Sequence, residues 1–288
     1  MSHQPAHGHD HDHGDHDNEA ALTELLDLEG EVLQSYLDDL TGWIAATAQP
    51  PVTRIVDLGS GTGTGTLALL RRFPGAHVTA VDLAPERLAR LTHRAAQLGR
   101  GDRVDTVAAD LDQPWPELAP ADLVWTSMAL HHVADPDQAL TRILGLLRPG
   151  GSLVIAETNP LAAFPRFLPA GAGTGLEDRI HERLARLLAE QVPEMGADWG
   201  TRLTTAGFTV AAERVFDVAL AAPLPPAVGR YAQLSLDRLR TGLADQLDSA
   251  DLKTLDTLVA DDGPDSLRHR DDLTVRATRL TWLARRPS

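Results

Sequence analysis

The residues with the clearest chemical meaning form a glycine-rich segment that begins with an acid. Residues 56–63 read Val-Asp-Leu-Gly-Ser-Gly-Thr-Gly, so that Asp57 precedes three alternating glycines. Glycines between a strand and a helix permit positive φ angles and let a ligand approach the backbone. The segment does not follow the dinucleotide fingerprint G-x-G-x-x-G, because Thr64 and Thr66 occupy the two possible positions of its third glycine. An acid at this place suits an ammonium group better than a pyrophosphate.

Two more acids follow the next two predicted strands. Asp82 ends the second strand, 25 residues after Asp57, where an acid can accept hydrogen bonds from both hydroxyls of a ribose. Asp110 follows the third strand. Because open α/β sheets bind ligands at the carboxyl ends of their strands, we expect the three acids to face one site.

Alternating strands and helices between Thr53 and Asn159 would position these residues. The predicted strands cover residues 54–58, 77–82, 103–108, 122–126 and 152–157, and the predicted helices cover 66–72, 85–98 and 136–147. Repeated strand–helix units imply right-handed crossovers and a parallel sheet covered by helices on both faces. Outside this region the sequence predicts amphipathic helices over 19–48, a loop over 160–176, helices over 177–191, 198–206 and 228–261, and strands over 208–220 and 274–284.

Composition excludes several classes of protein. The chain has 288 residues, 43% of them hydrophobic, and it has no cysteine, so a disulfide scaffold, a thiolate metal site and a cysteine nucleophile are excluded. No apolar run approaches the ~18–20 residues that span a bilayer, and the N-terminus has no signal-peptide pattern. We therefore expect a cytoplasmic globular protein without a membrane partner.

The net charge of −15 is unevenly distributed along the chain. Residues 1–53 contain eleven acids and neither lysine nor arginine, whereas the remaining 235 residues contain 30 acids and 26 bases. This larger part has a net charge of −4 and lacks the positive excess of a nucleic-acid-binding protein. No nucleic-acid partner is therefore expected.

Residues 1–18 form a His/Asp-rich tail that we expect to be disordered, because it has almost no apolar side chain to bury. Loose binding of divalent metals is expected from its imidazoles, which belong to His3, His7, His9, His11, His13 and His16. Two interpretations stay open: a solvated tail with adventitious metal affinity, and an element for metal storage or metal-responsive regulation.

Five motifs, in order and spacing, resemble the class I S-adenosylmethionine-dependent methyltransferases over about residues 53–160. They are Asp57–Gly63, Val81-Asp82, Ala109-Asp110, residues 122–132 and Leu-Arg-Pro-Gly-Gly at 147–151. Residues 129–135, Ala-Leu-His-His-Val-Ala-Asp, resemble the members that act on small molecules in quinone and specialised-metabolite biosynthesis.

The resemblance implies an α/β fold with a doubly wound, mostly parallel seven-stranded sheet, helices on both faces and an antiparallel last strand. It implies a methyltransferase domain over residues 49–288, preceded by N-terminal lid helices over 19–48. Insertions over 160–195 and 226–270 would help to form the lid and the acceptor pocket.

The resemblance also implies a role for each matching residue. Asp57 and the turn of Gly59, Ser60, Gly61 and Gly63 would hold the methionine end of S-adenosylmethionine. Asp82 would bind the ribose and Leu83 would pack on the adenine. Asp110 would accept a hydrogen bond from the adenine amino group, with Leu111 alongside. Thr126 and Ser127 would face the sulfonium and its methyl group.

These roles imply an enzyme that transfers a methyl group to a small, partly hydrophobic metabolite and releases S-adenosylhomocysteine. If the acceptor must lose a proton, His131 and His132 are the candidate bases, because the pKa of histidine lies near neutral pH. One imidazole should point toward the pocket and the other away, and His131 is slightly favoured. The pair could instead serve only to pack the cofactor and the following helix.

Several nearby residues have two possible roles. Tyr36 and Trp43 either cover the cofactor or pack in the core, and Glu157 and Asn159 either face the acceptor or, for Glu157, bond backbone groups. His181 lies among charged residues of a predicted helix and is expected to face solvent. At the level of the whole chain, the alternatives are a cofactor-binding protein that does not methylate and a metal-handling protein.

Overall fold

The computed structural model describes residues 10–49, 51–169 and 175–288, with side chains described from Glu19 onward. The strands are β1 Arg54–Leu58, β2 His77–Asp82, β3 Val104–Ala108, β4 Ala121–Ser127, β5 Leu147–Glu157, β6 Thr209–Leu220 and β7 Val275–Arg285. The helices are α1 Asp10–Val32, α2 Gln34–Thr47, α3 Thr64–Arg72, α4 Pro85–Gln97, α5 Pro136–Leu146, α6 Leu176–Gln191, α7 Trp199–Thr205, α8 Val228–Gly242 and α9 Ser249–Val259.

Seven strands of the described chain form one sheet, in the order β3-β2-β1-β4-β5-β7-β6. Neighbouring strands from β3 to β5 pair in parallel, whereas β7 pairs antiparallel with both β5 and β6. This arrangement confirms the predicted doubly wound sheet with an antiparallel last strand. The order of the strands reverses between β1 and β4, and sheets of this kind bind ligands in the crevice at such a point.

Both faces of the sheet are covered. Successive side chains of a strand point to opposite faces, and on the central strands both sets of side chains are buried. On β4, Leu123 and Trp125 belong to one hydrophobic cluster and Val124 belongs to the other. On β1, Ile55 lies in the first cluster and Val56 in the second. Strands buried on both faces have to be apolar at successive positions, which explains the apolar runs that predicted them.

The N-terminal helices pack on the first of these faces. Leu25, Val32, Leu40 and Ile44 recur at helical spacing and are buried in the same cluster as Trp125. The amphipathic pattern over residues 19–48 therefore buries its apolar side chains against the sheet layer.

The acids of α1 pair with arginines that lie far away in the sequence. The pairs join Glu19 to Arg87, Asp27 to Arg90 and Arg94, Glu24 to Arg230, and Glu29 to Arg279, with N···O distances of 2.7–2.8 Å. These arginines belong to α4, α8 and β7. The acidic N-terminal segment and the arginine-containing body are thus complementary surfaces of one structure.

Three boundaries differ from the sequence prediction. α1 already begins at Asp10, inside the tail expected to be disordered, because extending a helix costs much less than nucleating one; residues 1–9 lie outside the described residues. The predicted helix over 228–261 is divided into α8 and α9, and the Asp248 carboxylate caps α9 by accepting hydrogen bonds from the amides of Ala250 and Asp251. β5 begins at Leu147, where the strand already pairs with Ala121 of β4.

No helix within residues 10–49, 51–169 and 175–288 is both long enough and apolar enough to cross a membrane.

Candidate functional site

A cavity of about 460 Å³ lies at the carboxyl ends of β1, β2 and β4. The sheet topology brings most of the predicted cofactor residues to its wall, namely Asp57, Gly59, Ser60, Gly61, Asp82, Leu83, Asp110, Leu111 and Ser127. Residues of α1 and α2 cover the cavity, and α8 and β7 each contribute an arginine. The site is therefore built by the sheet edge and closed by the N-terminal helices.

The glycine-rich turn requires glycine for two reasons. Gly59, Gly61 and Gly63 have φ angles of 71°, 53° and 85°, which residues with a Cβ rarely adopt. A Cβ at position 59 would overlap the side chain of Ala129, and a Cβ at position 63 would overlap that of Leu91. Gly63 does not line the cavity, so the structure gives it a role in the close packing of α4 against the turn.

Asp57 is buried at the carboxyl end of β1 and still contributes to the cavity wall. The Thr66 hydroxyl donates a hydrogen bond to its Oδ2 atom, with an O···O distance of 2.5 Å. Burial raises the pKa of Asp57 to about 7, the Thr66 hydrogen bond opposes that rise, and the charge of Asp82 adds to it. A cationic group placed beside Asp57 would stabilise its ionised form.

The Asp82 carboxylate is fixed by backbone amides at the end of β2. Its Oδ2 accepts a hydrogen bond from the Gly61 amide at 2.8 Å, and its Oδ1 accepts one from the Ala84 amide at 3.0 Å. The next residue, Leu83, is 68% exposed and lines the cavity. A carboxylate and an exposed apolar side chain in sequence suit a ribose and the flat face of a base.

Asp110 follows β3 and lies on the same wall. Its Oδ1 accepts a hydrogen bond from the Asp112 amide at 2.9 Å, and the Asp112 carboxylate accepts one from the Ala134 amide at 2.8 Å. The loop after β3 is thereby tied to the segment after β4.

The end of β4 presents Ser127 to the cavity, while Thr126 is buried away from it. The placement of Thr126 beside the sulfonium therefore disagrees with the structure, because alternate residues of a strand face opposite sides and Trp125 and Ser127 share the cavity side. The next residue, Met128, has a φ of 55° and also lines the cavity. A non-glycine residue in this conformation is strained, and such residues cluster at functional sites.

The two histidines after β4 have different surroundings. His131 is buried, and its Nδ1 forms a hydrogen bond with the Glu157 carboxylate, which also accepts one from the Leu130 amide at 3.0 Å. His132 lines the cavity, and burial, followed by the charge of His131, lowers its pKa. The slight preference for His131 as the base thus disagrees with the structure, since only His132 is in a position to meet an acceptor.

The remaining residues with two possible roles are also separated. Tyr36 and Trp43 both pack edge-on against Phe216, with centroid distances of 5.7 and 6.0 Å, but of the two only Tyr36 also lines the cavity. Glu157 bonds His131 and a backbone amide, and Asn159 caps a short turn by accepting a hydrogen bond from the Ala162 amide.

The prediction that His181 faces solvent is wrong. His181 is only 1% exposed, and burial lowers its pKa to about 4. α6 is amphipathic, and His181 lies next to Ile180 on the buried side of this helix. The charged residues that adjoin His181 in the sequence do not indicate that its side chain is buried.

The insertions contribute unequally to the cavity. In the described part of residues 160–195, no residue lines it, and residues 226–270 contribute only Arg238. The cover comes mainly from α1 and α2, through Leu22, Leu26, Glu29, Gly30, Leu33, Tyr36 and Leu37. The helical pattern predicted these helices but not which of their side chains would meet the cavity.

The wall of the cavity fits S-adenosylmethionine. The Ser60 hydroxyl is buried beside the glycine turn and has no hydrogen-bond partner among the described residues, so it is available to a ligand. The buried Asp57 carboxyl matches an ammonium group, and Asp82 and Asp110 present further acceptors along the same wall. The donor set thus complements a cationic amino acid at one end and a nucleoside at the other.

Residues 56–153 match the family model described as a methyltransferase domain. This match and the strand order identify that part of the chain as a class I S-adenosylmethionine-dependent methyltransferase domain, the superfamily whose cofactor the site fits.

Two curated relatives show the range of similar proteins. The malonyl-acyl-carrier-protein O-methyltransferase of Halorhodospira halophila is 35% identical over 156 residues, covering 54% of this chain and 48% of that protein. The demethylmenaquinone methyltransferase of Thermus thermophilus is 41% identical over 108 residues, covering 37% of this chain and 48% of that protein. The chain therefore spans about half the length of the curated relatives it matches.

Solved structures with the same fold extend over most of the chain. A Bacillus halodurans protein superimposes with a TM-score of 0.54 at 17% identity, covering 87% of this chain and 99% of that one. The YcgJ protein of Bacillus subtilis superimposes with a TM-score of 0.51 at 15% identity, covering 86% of this chain and 98% of that one. At these identities the likeness shows the fold.

The predicted metal site of the tail lies outside the side chains that the structure describes, since His3, His7 and His9 precede residue 10 and the side chains of His11, His13 and His16 are not described. Among the described residues, no group of three or more His, Asp or Glu side chains could hold a metal ion.

Proposed function

We propose that the protein transfers a methyl group from S-adenosylmethionine to a small, partly hydrophobic metabolite. The observation that carries the proposal is the single cavity that joins Asp57, Asp82 and Asp110 to Ser127 and His132. The first three residues suit the cofactor, and the last two lie where the strand order reverses and an acceptor can approach it. The cavity volume lies in the lower part of the ~300–1,000 Å³ range of small-molecule pockets, so the acceptor beside the cofactor is small.

The chemistry needs alignment more than reactive side chains. Methyl transfer is an in-line displacement in which the acceptor forms a bond to the methyl carbon while the bond from that carbon to sulfur breaks. Positioning of the two reactants can supply up to ~7–11 kcal/mol of barrier reduction. Here the glycine turn, Ser127 and the cover of α1 would hold the reactants in line and exclude water.

His132 is the proposed base for an acceptor that has to lose a proton. It lines the cavity, and burial lowers its pKa, so its imidazole is neutral and able to accept a proton near pH 7. His131 has a positioning role, because its bond to Glu157 fixes the backbone turn that presents His132.

The names of the relatives support a small or carrier-bound acceptor, since they are methyltransferases of malonyl-acyl-carrier protein and of demethylmenaquinone. The test is to incubate purified protein with methyl-labelled cofactor and a metabolite extract. A labelled product is the expected result, and retention of the cofactor without any labelled product would favour a binding protein that does not methylate.

Replacement of Asp82 tests the cofactor site. We expect Asp82→Ala to weaken binding of S-adenosylhomocysteine by at least about tenfold, because each hydrogen bond to a charged group is worth ~1.5–3 kcal/mol. The affinity is measured by calorimetry, and the melting temperature verifies that the variant is folded. Asp105→Ala is a matched control, because Asp105 lies on the neighbouring strand β3 and pairs with His77 away from the cavity. An unchanged affinity in Asp82→Ala would refute the ribose assignment.

A further inference from the structure

The cavity wall contains both acidic and basic side chains. The wall includes the acids Glu29, Asp57, Asp82, Asp110 and Asp112 and the bases Arg87, Arg238 and Arg279. Four of the acids surround the part that fits the cofactor. Two of the arginines already have carboxylate partners, since Arg87 pairs with Glu19 and Arg279 with Glu29.

Arg238 differs from the other two arginines. It lies on α8, lines the cavity and is exposed, and within the described part of the chain it has no carboxylate in ion-pair distance. Its neighbours along the same helix are paired, because Arg230 binds Glu24 and Arg240 binds Asp256. Arg238 is thus a free guanidinium on the wall of a cavity whose lining is mostly apolar.

The free guanidinium shares the cavity wall with Ser127 and His132, the residues proposed to face the acceptor. Its charge helps to lower the pKa of His132, which places it within electrostatic reach of the proposed base. The hydroxyl of Tyr36, which also lines the cavity, is buried without a hydrogen-bond partner among the described residues. The Arg279–Glu29 pair, with Arg279 only 3% exposed, is neutral overall, so Glu29 is already occupied and does not pair with Arg238.

An arginine fork matches the two oxygens of a carboxylate and binds them in a bidentate manner. One unpaired guanidinium also matches the single charge of one carboxylate, whereas a phosphate dianion would bring a second negative charge into the mostly apolar cavity. We infer that the acceptor carries a carboxylate, and that Arg238 binds it and orients the acceptor toward the methyl group. This inference rests on the proposed function and names the substrate class of that site.

Binding of small acids tests the inference without turnover. The protein saturated with S-adenosylhomocysteine is titrated by calorimetry with hexanoate, benzoate and succinate, with the uncharged hexanamide, benzamide and succinamide, and with inorganic phosphate. We expect at least one acid to bind about tenfold or more tightly than its matched amide, as a charge-assisted hydrogen bond would give. Phosphate is expected to bind more weakly than that acid.

Substitutions on α8 test whether Arg238 causes the preference for an acid over its matched amide. Arg238→Gln should abolish the preference for the acid, and Arg238→Lys should restore part of it, because lysine keeps the charge but not the fork. Arg240→Gln is the control, since Arg240 lies on the same helix and pairs with Asp256 outside the cavity. Affinity for S-adenosylhomocysteine should stay unchanged in all three variants.

The inference is overturned if acids and amides bind equally, if phosphate binds more tightly than every acid, or if the preference survives in Arg238→Gln. These outcomes differ from a failure of the proposed function. In that case S-adenosylhomocysteine itself would not bind, or no labelled product would form although the acids bind.

Discussion

At the residue scale, Asp57 shows how burial changes the chemistry of an ordinary carboxyl. The residue must stay near the backbone of the glycine turn to meet a ligand, but that position removes it from water. Its pKa of about 7 means that the ligand-free protein holds this carboxyl half protonated near neutral pH. An approaching ammonium group favours the ionised form, so binding of the cofactor and loss of the proton are linked.

The pH dependence of binding follows from this linkage. As the pH falls below about 7, affinity for S-adenosylhomocysteine should fall, approaching about tenfold per pH unit, because the ammonium then competes with a proton. Calorimetry in two buffers of different ionisation enthalpy should show proton release near pH 7. In Asp57→Asn, binding should be weaker and independent of pH in this window, and a retained slope would contradict the assignment.

The same residue affects the stability of the ligand-free protein. Because the folded-state pKa lies above the ordinary value of 3.8, the folded state binds more protons than the unfolded state between about pH 4 and 7. The contribution of Asp57 to the free energy of unfolding therefore decreases as the pH rises through this window.

Some site residues could be predicted from their position in a motif. Others could be predicted only if the direction of the side chain were known. Asp82 and Asp110 follow strands, and any residue at the end of a parallel strand lies at the same sheet edge. Thr126 and His131 also lie at this edge, but their side chains point into the protein. Motif position alone does not tell which of two adjacent side chains faces the cavity.

At the scale of elements, α1 is the part that decides access to the site. Its apolar side chains Leu22 and Leu26 form part of the cavity wall, and its acids hold it to α4, α8 and β7. The pairs of α1 with α4 and α8 are partly exposed to solvent and are therefore weakened by salt, whereas Arg279 of the pair with β7 is buried. A cover fixed by several such pairs can open locally without unfolding the sheet.

Weakening of these pairs should speed exchange of the ligand. Asp27 pairs with both Arg90 and Arg94, so Asp27→Asn should raise the dissociation rate of S-adenosylhomocysteine several-fold while the melting temperature shows that the variant stays folded. Stopped-flow fluorescence gives the rate at low and high salt. Asp38→Asn is the control, because Asp38 lies on α2 and pairs with Arg71 away from the cavity. Equal dissociation rates in the two variants would exclude α1 as the gate.

At the scale of the whole molecule, the central sheet was predictable, whereas the side chains that enclose the site were not. Residues 53–160 alternate between apolar strands and helices, and this local pattern determines the parallel sheet. The contact between Arg279 and Glu29 joins residues 250 positions apart, and the contact of Arg238 with the cavity depends on where α8 crosses it. Neither contact is visible as a pattern of neighbouring residues in the sequence, because each forms only when elements that are distant in the sequence pack together.

Deletion of residues 1–18 tests whether the tail has a separate function. We expect the shortened protein to lose binding of nickel or zinc, because the tail imidazoles are the expected metal ligands. It should keep methyl transfer and its response to metal unchanged, because the residues proposed to bind the cofactor and the acceptor all follow residue 18. Calorimetry measures metal binding and label transfer measures activity. A loss of metal-dependent activity on deletion would support a regulatory tail.

The pairing of α1 with three separate elements also limits how this protein can diverge. Glu19, Glu24, Asp27 and Glu29 of α1 each pair with an arginine elsewhere in the chain, so a change on one side leaves a charge without its partner until the other side changes too. Among descendants of this sequence, positions 19, 24, 27 and 29 should covary with their arginines, whereas the motifs of the sheet edge can be retained alone. We therefore expect α1 to be retained together with the elements that carry its arginine partners, and not to be exchangeable between related proteins.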